Sequence, residues 1–359
     1  MYALDVLKKI EKAGYKAYIV GGFVRDKLLG INSSDVDIAT SASPKEVARI
    51  FDLNQDDELG CTNIKSSEYN IDITTFRKEA EYVGHRPKKV KYVDDLETDL
   101  KRRDFTINAI CMDSNGKIID PLNGKIDLDK KLIRVIGSIK KKFSEDPVRI
   151  LRAIRLSIIY DLKIQDDELV FIINNSDLLM NVSYTRKKEE ISKILTSRNC
   201  LKGLYFLKTI GILDVLDIKL NDNIVYVKDI MGMWAQIEYS SKYPFSKLEN
   251  QRIKSIRSII KYGKIDEVIL FQYGLYDSLV AAEILGVDAK VVKSSYDTMA
   301  IHSRDDISIS GKRIKELLNI EKDSPIIKII KRDLIMNLVS GNLTNEQKVL
   351  EEYIIKKWK

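Results

Sequence analysis

The apolar run Ala17 to Val20 leads directly into Gly21-Gly22, then into helical spacing through Leu28 and Leu29, and then into the alternating stretch Asp35-Val36-Asp37-Ile38. Strand, glycine turn, helix and strand is a narrow choice of local structure. A two-residue period turns Val36 and Ile38 toward a core and both carboxylates toward the opposite face. Asn70 to Phe76 (NIDITTF) repeats the alternation and sends Asp72 away from its own core face. With an amphipathic helix over residues 4 to 13, the first 137 residues read as α/β.

After Val135-Ile136-Gly137 helical patterns dominate to the C-terminus. The segment DPVRILRAIRLSIIY, 146 to 160, places Val148, Leu151, Ile154 and Ile158 on one stripe, with Pro147 at the first helical position behind an Asp146 N-cap. Residues 206 to 300 are helix-like without a chemical signature. The expectation is an α+β chain, α/β first and all-helical afterwards, and 359 residues imply more than one packing unit.

Cys61, Cys111 and Cys200 lie far apart with no CxxC pair, which supports neither a disulfide framework nor a structural zinc site and fits a reducing cytoplasm. The N-terminus lacks the apolar h-region of a signal peptide, and no run approaches 18 uninterrupted apolar residues, so no membrane partner is expected. A formal net charge of +7 is compatible with a polyanionic partner, because cations near phosphates gain affinity by counterion release.

Two carboxylates at i and i+2 on a strand face suit hard divalent cations and two-metal phosphoryl transfer. Asp127-Leu128-Asp129 has the same spacing and reads as a solvated turn, so spacing alone decides nothing. The glycines of Gly21-Gly22-Phe23-Val24-Arg25-Asp26 let backbone N–H groups approach phosphate oxygens, and Arg25 adds a guanidinium fork; an ordinary tight turn reads the same way. Asp72 is either a third ligand or base, or an exposed strand residue. Arg102-Arg103-Asp104-Phe105-Thr106-Ile107-Asn108-Ala109 carries groups that bind triphosphate and ribose hydroxyls, or else begins a charged helix.

The series GGFVRD, DVDIAT, RRDFTINA and EDPVR, in this order and at these spacings, resembles the class II tRNA nucleotidyltransferases of the DNA polymerase β superfamily. The resemblance is strongest over residues 15 to 195, with a weaker match at Ile307 to Leu318 (ISISGKRIKELL). It implies a nucleotidyltransferase head at 1–137, a helical neck at 138–205 that reads the incoming base, a helical body at 206–265 and a helical, tRNA-binding tail at 266–359. By that resemblance Asp35 and Asp37 hold metal, with Asp72 as a further catalytic candidate. Gly21, Gly22, Arg25, Arg103, Asp104, Asn108, Asp146, Arg149 and Arg152 bind nucleotide; Arg186 and Glu190 support the neck. Lys312, Arg313 and Lys315 are the tail candidates for tRNA phosphates, with a solvated helix face as the other reading, and Lys187, Lys188 and Lys193 read as surface ion pairs. Gly60 to Ile64 lacks the His-Gly usual in the family's corresponding strand.

The chemistry of the implied base template holds independently. Cytosine presents an amino donor beside the N3 acceptor, and adenine an amino donor beside N1. A carboxylate accepts from the amino group while a guanidinium donates to the ring nitrogen; uracil and guanine reverse both polarities. Without the surrounding motifs Asp146 and Arg149 are also a routine i, i+3 helix pair.

The resemblance therefore implies an enzyme that adds C, C and A to the 3′ end of tRNA from CTP and ATP, with Mg2+ as cofactor and pyrophosphate as product. A CC-adding enzyme, an A-adding enzyme and a bacterial poly(A) polymerase are the alternatives, and a noncatalytic RNA-binding protein is the alternative of another class. The stretch Arg77 to Lys91 has the full length that CC-adding enzymes lack. Oligomeric state is not readable from the sequence.

Overall fold

The computed structural model describes residues 3–53, 61–65, 69–83, 86–320 and 324–359. The chain divides into two compact units, residues 1–217 and 218–359. The expected boundary at 205 is the nearest to this division, while those at 137 and 265 fall inside the units.

In the first unit β1 (Ala17–Val20), β2 (Asp35–Thr40), β3 (Cys61–Lys65), β4 (Asn70–Thr75), β7 (Cys111–Met112) and β8 (Ile118–Ile119) form a sheet in the order β3-β4-β2-β1-β7-β8. β2 and β4 run parallel and the other neighbours are antiparallel. Val36, Ile38, Ile71 and Ile73 are fully buried, each contributing roughly 1.5–3 kcal/mol by leaving water. This fixes the register, since a one-residue slip would bury the carboxylates instead. Between strands of the stretch 77–91 lies a separate hairpin, β5 (Arg77–Val83) with β6 (Arg86–Tyr92); its connection, including His85, is outside the described residues, as is Gly60.

Helices α1 (Ala3–Lys12), α2 (Gly22–Leu28), α3 (Pro44–Phe51), α4 (Leu96–Arg102) and α5 (Gly124–Asp129) accompany these strands. α6 (Ile139–Glu145), α7 (Val148–Tyr160), α8 (Asp166–Asn174), α9 (Tyr184–Leu195), α10 (Cys200–Thr209) and α11 (Ile212–Val215) complete the unit, with β9 (Leu132–Ile133) and β10 (Lys163–Ile164) pairing in parallel. α7 starts at Val148 with Pro147 as its N-cap, one residue later than the sequence suggests. Asp146 closes α6 in an extended conformation and accepts from the Val148 N–H at 3.3 Å, so it is the joint between two helices.

Two expectations are overturned in this unit. Asp127 is not on a solvated turn: it is 5% exposed, accepts from the Thr106 hydroxyl at 2.6 Å and pairs with Arg134 at 3.2 Å. A Cβ on neighbouring Gly124 would meet the Thr106 carbonyl at 2.1 Å, so α5 packs directly on that segment. Lys187 is not a surface ion pair: it is 2% exposed, with its ammonium 4.6 Å from the centre of the Tyr184 ring.

The second unit contains β11 (Ile218–Leu220) paired with β12 (Ile237–Tyr239) and helices α12 (Ile230–Ala235), α13 (Lys247–Tyr262), α14 (Glu267–Leu285), α15 (Ala289–Asp297), α16 (Gly311–Leu318), α17 (Pro325–Val339) and α18 (Gln347–Trp358). Trp234 lies at the centre of an aromatic cluster with Tyr239, Tyr243 and Phe245. Among the described residues α14 alone is long and apolar enough to cross a membrane. It is broken at Gly274 (φ 77°), and Asp277 within it pairs with Arg252 at 2.9 Å.

Candidate active site

Asp35 and Asp37 leave the open face of β2, as the alternation requires. Across the parallel ladder Asp37 is in register with Asp72, whose carboxylate accepts from Asn63 Nδ2 at 2.7 Å. Gly21 adopts φ +83°, and a Cβ there would stand 3.3 Å from Asp37 Oδ2 and 3.7 Å from Arg103 Nη1. Conformation and space both call for glycine, so the turn brings bare backbone against the carboxylate. Desolvation raises the pKa of Asp37, with the Asp72 and Asp35 charges adding to it and Arg103 opposing.

A cavity of about 490 Å³ joins this carboxylate face to the arginine-bearing edge of α7. Gly21, Gly22, Arg25, Asp35, Asp37, Arg103, Asp104 and Asn108 line one side, and Asp146, Arg149, Arg152 and Arg186 the other. The sequence expectations thus converge on one site, except that Asp72 is not among the lining residues, Glu190 supports the wall from behind, and Lys312, Arg313 and Lys315 belong to the second unit. Seven arginines and Lys193 against five carboxylates give the wall the cationic balance that a polyphosphate requires.

Arg25 is less free than a phosphate fork would be. It is 5% exposed and donates to Asp26 from Nε and Nη2 (3.0 and 2.7 Å), to Asn108 Oδ1 at 2.6 Å and to the Tyr160 hydroxyl at 2.6 Å. Of its five donors one on Nη1 remains for a ligand. Arg103 is held by Asp99 at 3.2 Å, and its buried Nε–H has no hydrogen-bond partner among the described residues, an unmet donor of the kind a phosphate oxygen satisfies.

Asp104 is held ionised by its surroundings. Burial alone would raise its pKa, but Arg152, which contacts it at 2.6 Å, together with bonds from Asn108 and the Phe105 N–H, lowers it to about 2. The Asp104 charge in turn raises Arg152 above its ordinary value.

Arg186 donates to Asp146 from both terminal nitrogens, at 2.9 and 3.1 Å. Arg149 Nη1 donates to the Lys142 carbonyl at 2.9 Å and approaches Glu145 at 3.5 Å. Arg186 and Glu190, spaced as a helix pair, thus serve different partners, since Glu190 holds Arg155 at 2.6 Å and Lys193 at 3.7 Å. Glu79, Arg155 and Lys193 line the cavity without having been expected there, and Arg102 joins them from the expected Arg102–Asn108 segment. The three-residue spacing of Arg149, Arg152 and Arg155 on one helix was a usable signal for Arg155. Glu79 comes from the hairpin, where it pairs with Arg102 at 3.2 Å, a contact that no local pattern announces.

Among the described residues no three His, Cys, Asp or Glu side chains close on one point as a metal cage. Asp35 and Asp37 nevertheless fit a hard cation: they offer oxygen donors from one face beside an arginine-rich wall, leaving the other positions to water and phosphate, as magnesium prefers.

The family described as Poly A polymerase head domain matches residues 17–134, and that described as tRNA nucleotidyltransferase domain 2 matches residues 239–354. The CCA-adding enzyme of Ligilactobacillus salivarius is 35% identical over 390 aligned residues, which cover 98% of this chain and 95% of the relative. A CCA-adding enzyme of Streptococcus pyogenes is 32% identical, covering 98% and 96%. Among solved structures, that of the Bacillus stearothermophilus CCA-adding enzyme in complex with CTP superposes with a TM-score of 0.87 at 26% identity, covering 99% of this chain and 96% of the other.

Proposed function

The chain belongs to the CCA-adding enzymes, tRNA nucleotidyltransferases of the DNA polymerase β superfamily, and from that premise we propose how its residues divide the work. The activity is template-independent addition of C, C and A to the 3′ end of tRNA from CTP and ATP, with release of pyrophosphate. The CC-adding, A-adding and poly(A) polymerase alternatives are not favoured, because relatives matching 98% of the chain add all three nucleotides by name. Metal dependence comes with the family.

The observation that carries the reading is the sharing of one cavity by Asp35, Asp37, Arg103, Asp146 and Arg149. Asp35 and Asp37 would hold Mg2+, which, when bound, polarises the α-phosphate and favours the 3′-oxygen as a nucleophile. Gly21 and Gly22 give the triphosphate access to backbone N–H groups, and Arg103 supplies the unmet donor to its oxygens. Asp104, kept ionised by Arg152, and Asn108 face the sugar side. Arg25 anchors Asn108 and offers its last donor to phosphate. Asp72 acts through Asp37, as a neighbouring charge and a second acceptor.

Asp146 accepts the amino group of C or A while Arg149 donates to the ring nitrogen, with Arg186 holding the carboxylate in place. The terminal ribose oxygen attacks the α-phosphorus in line and pyrophosphate leaves opposite. In this scheme residues 1–137 are the head, 138–205 the neck, 206–265 the body and 266–359 the tRNA-binding tail. We place the enzyme in the cytoplasm with its tRNA; the buried free thiols Cys111 and Cys200 suit a reducing compartment.

The test supplies transcripts ending before CCA, after C and after CC with each nucleotide separately, with magnesium. Stepwise C, C and A incorporation with matching pyrophosphate release is expected. Addition that stops at CC, begins only at CC, or continues as a poly(A) tract would replace this reading with one of the alternatives, and no pyrophosphate at all would point to a binding protein.

A further inference from the structure

Lys142, in the last turn of α6, is 9% exposed, and its ammonium donates to three carbonyls at once: those of Lys101, Arg102 and Arg103, each at 2.8 Å. These are the closing carbonyls of α4, which lack intrahelical partners and carry the negative end of the helix dipole. An ammonium has three donors, and all three are spent on one turn. The carbonyl of the same residue accepts from the Asp146 N–H at 3.3 Å and from Arg149 Nη1 at 2.9 Å. One residue therefore grips the Arg102–Arg103 turn with its side chain and both members of the base-facing pair with its backbone. Burial, and then the Arg149 charge, bring its pKa down to about 8, which leaves it mainly protonated at neutral pH.

We propose that Lys142 is a positioning residue for nucleotide selection, which sets the distance between the base-facing pair, Asp146 and Arg149, and the Arg103 turn that faces the triphosphate. The inference rests on the base-template reading of that pair. A base edge influences the rate only if its hydrogen bonds form while the α-phosphorus is in line, so the spacing between base edge and phosphate cradle converts recognition into selective turnover. Cutting the Lys142 clamp leaves every group that touches the nucleotide in place and loosens their mutual register.

The experiment measures kcat and KM for all four nucleotides on transcripts ending after C and after CC, in the full chain, with thermal unfolding alongside. Lys142→Met keeps the stem and removes the donors; Lys142→Arg keeps the charge, but a planar fork does not place three donors on converging carbonyls. Both are expected to lower kcat for C and A more than they raise KM, and to reduce discrimination against UTP and GTP by roughly tenfold. In an Arg149→Ala background, Lys142→Met should change that discrimination little further, because the side-chain clamp bears on base choice through Arg149, which the Lys142 carbonyl holds. If Arg149→Ala itself leaves discrimination unchanged, the template reading fails and this inference with it. If Arg149→Ala lowers discrimination while Lys142→Met and Lys142→Arg keep the wild-type ratio, the inference alone is overturned, and a lowered unfolding midpoint with wild-type kinetics identifies Lys142 as a helix cap. Should Lys142→Met fail to fold, the ratio measured for Lys142→Arg decides.

Discussion

Asp37 and Asp72 are register partners on the parallel strands β2 and β4, so the two carboxylates stand on the same face of the sheet one strand apart. Asp37 carries the raised pKa and lines the cavity, whereas Asp72 is held by Asn63 and stays outside the lining. The arrangement sets one carboxylate on the cavity and the other beside it, where its charge adds to the rise in the Asp37 pKa.

Asp35→Ala and Asp37→Ala are each expected to abolish addition of C and A alike while leaving tRNA affinity nearly intact, since the loss falls on the chemical step. A deficit of ~4 kcal/mol corresponds to roughly 10³-fold in rate. Asp72→Ala should cost less than either. Asp129→Ala, at an exposed position where the carboxylate pairs with Lys125 on the same helix, is the control. Single-turnover incorporation with a filter-binding titration checks this, and near-normal turnover by Asp37→Ala would remove the carboxylate pair from the chemistry.

Asp127→Ala is expected to destabilise the fold by about 1–3 kcal/mol, because it leaves the Thr106 hydroxyl and Arg134 without their buried acceptor. Denaturant unfolding of Asp127→Ala beside Asp129→Ala measures the difference. Equal midpoints would mean that the α5 contact to Thr106 contributes nothing.

Acid stability should report on Asp104. Its folded pKa, about 2, lies below the ordinary 3.8, so the folded state binds its proton less readily than the unfolded one. The resulting stabilisation, about 2 kcal/mol, is complete above pH ~4 and is lost as the pH falls toward 2. Asp104→Asn should show a flatter stability curve across that window. A variant whose curve parallels the wild type would show that the Arg152 pair does not depress Asp104.

The strands that carry the carboxylates and the helix α7 were legible in the sequence because each rests on short-range periodicity; the turn between the first strand and helix was legible from Gly21-Gly22, and Arg149 and Arg152 from the family motifs. What Arg25 does was not. A GGFVRD motif shows that a guanidinium is present but not that Asp26, Asn108 and Tyr160 consume most of its donors, the last from 135 residues away. Asp127 and Lys187 were misjudged for the same reason: charge and local spacing suggest solvent, while Thr106 is brought to Asp127 and the Val215 carbonyl to Lys187 by tertiary packing. The helical boundary at 137 marks a change of secondary structure, yet contacts such as Arg152 to Asp104 and Lys142 to the end of α4 make both sides one unit.

In the tail the structure separates two of the candidate cations. Arg313 is bound by Glu351 at 2.8 and 3.1 Å, joining α16 to α18, and Glu351 is held at a pKa of about 2 by that contact. Arg313→Ala should therefore lower the unfolding midpoint more than it alters tRNA binding. Lys312→Ala should instead reduce the slope of log affinity against log salt by about one and leave the midpoint alone. An unchanged slope for Lys312→Ala would take this face of α16 out of the tRNA-binding surface.

Base choice should depend on Arg186 as well as on Asp146 and Arg149, because a carboxylate discriminates only while it is aimed. Two bonds from Arg186, at 2.9 and 3.1 Å, hold both Asp146 oxygens, and the Val148 N–H at 3.3 Å adds a backbone contact to one of them. Asp146→Ala and Arg149→Ala each remove a charge-assisted hydrogen bond worth roughly 1.5–3 kcal/mol, which should lower the rates for C and A together and weaken rejection of UTP and GTP. The damage should be similar for both correct bases, since cytosine and adenine present the same donor-beside-acceptor edge. Arg186→Ala should show the same loss of discrimination in smaller measure, and Arg186→Lys should not restore it, because a single ammonium cannot hold both oxygens in one plane. Substitutions in the hairpin stretch 77–91 should act differently, slowing the final A more than either C. Incorporation of all four nucleotides by the folded Asp146→Ala, Arg149→Ala and Arg186→Ala variants decides the matter. If selectivity for C and A survives in the first two, these residues are only helix ion-pair members and base choice lies elsewhere in the cavity; if it fails in the first two but is untouched in the third, Asp146 is aimed by its backbone joint rather than by Arg186.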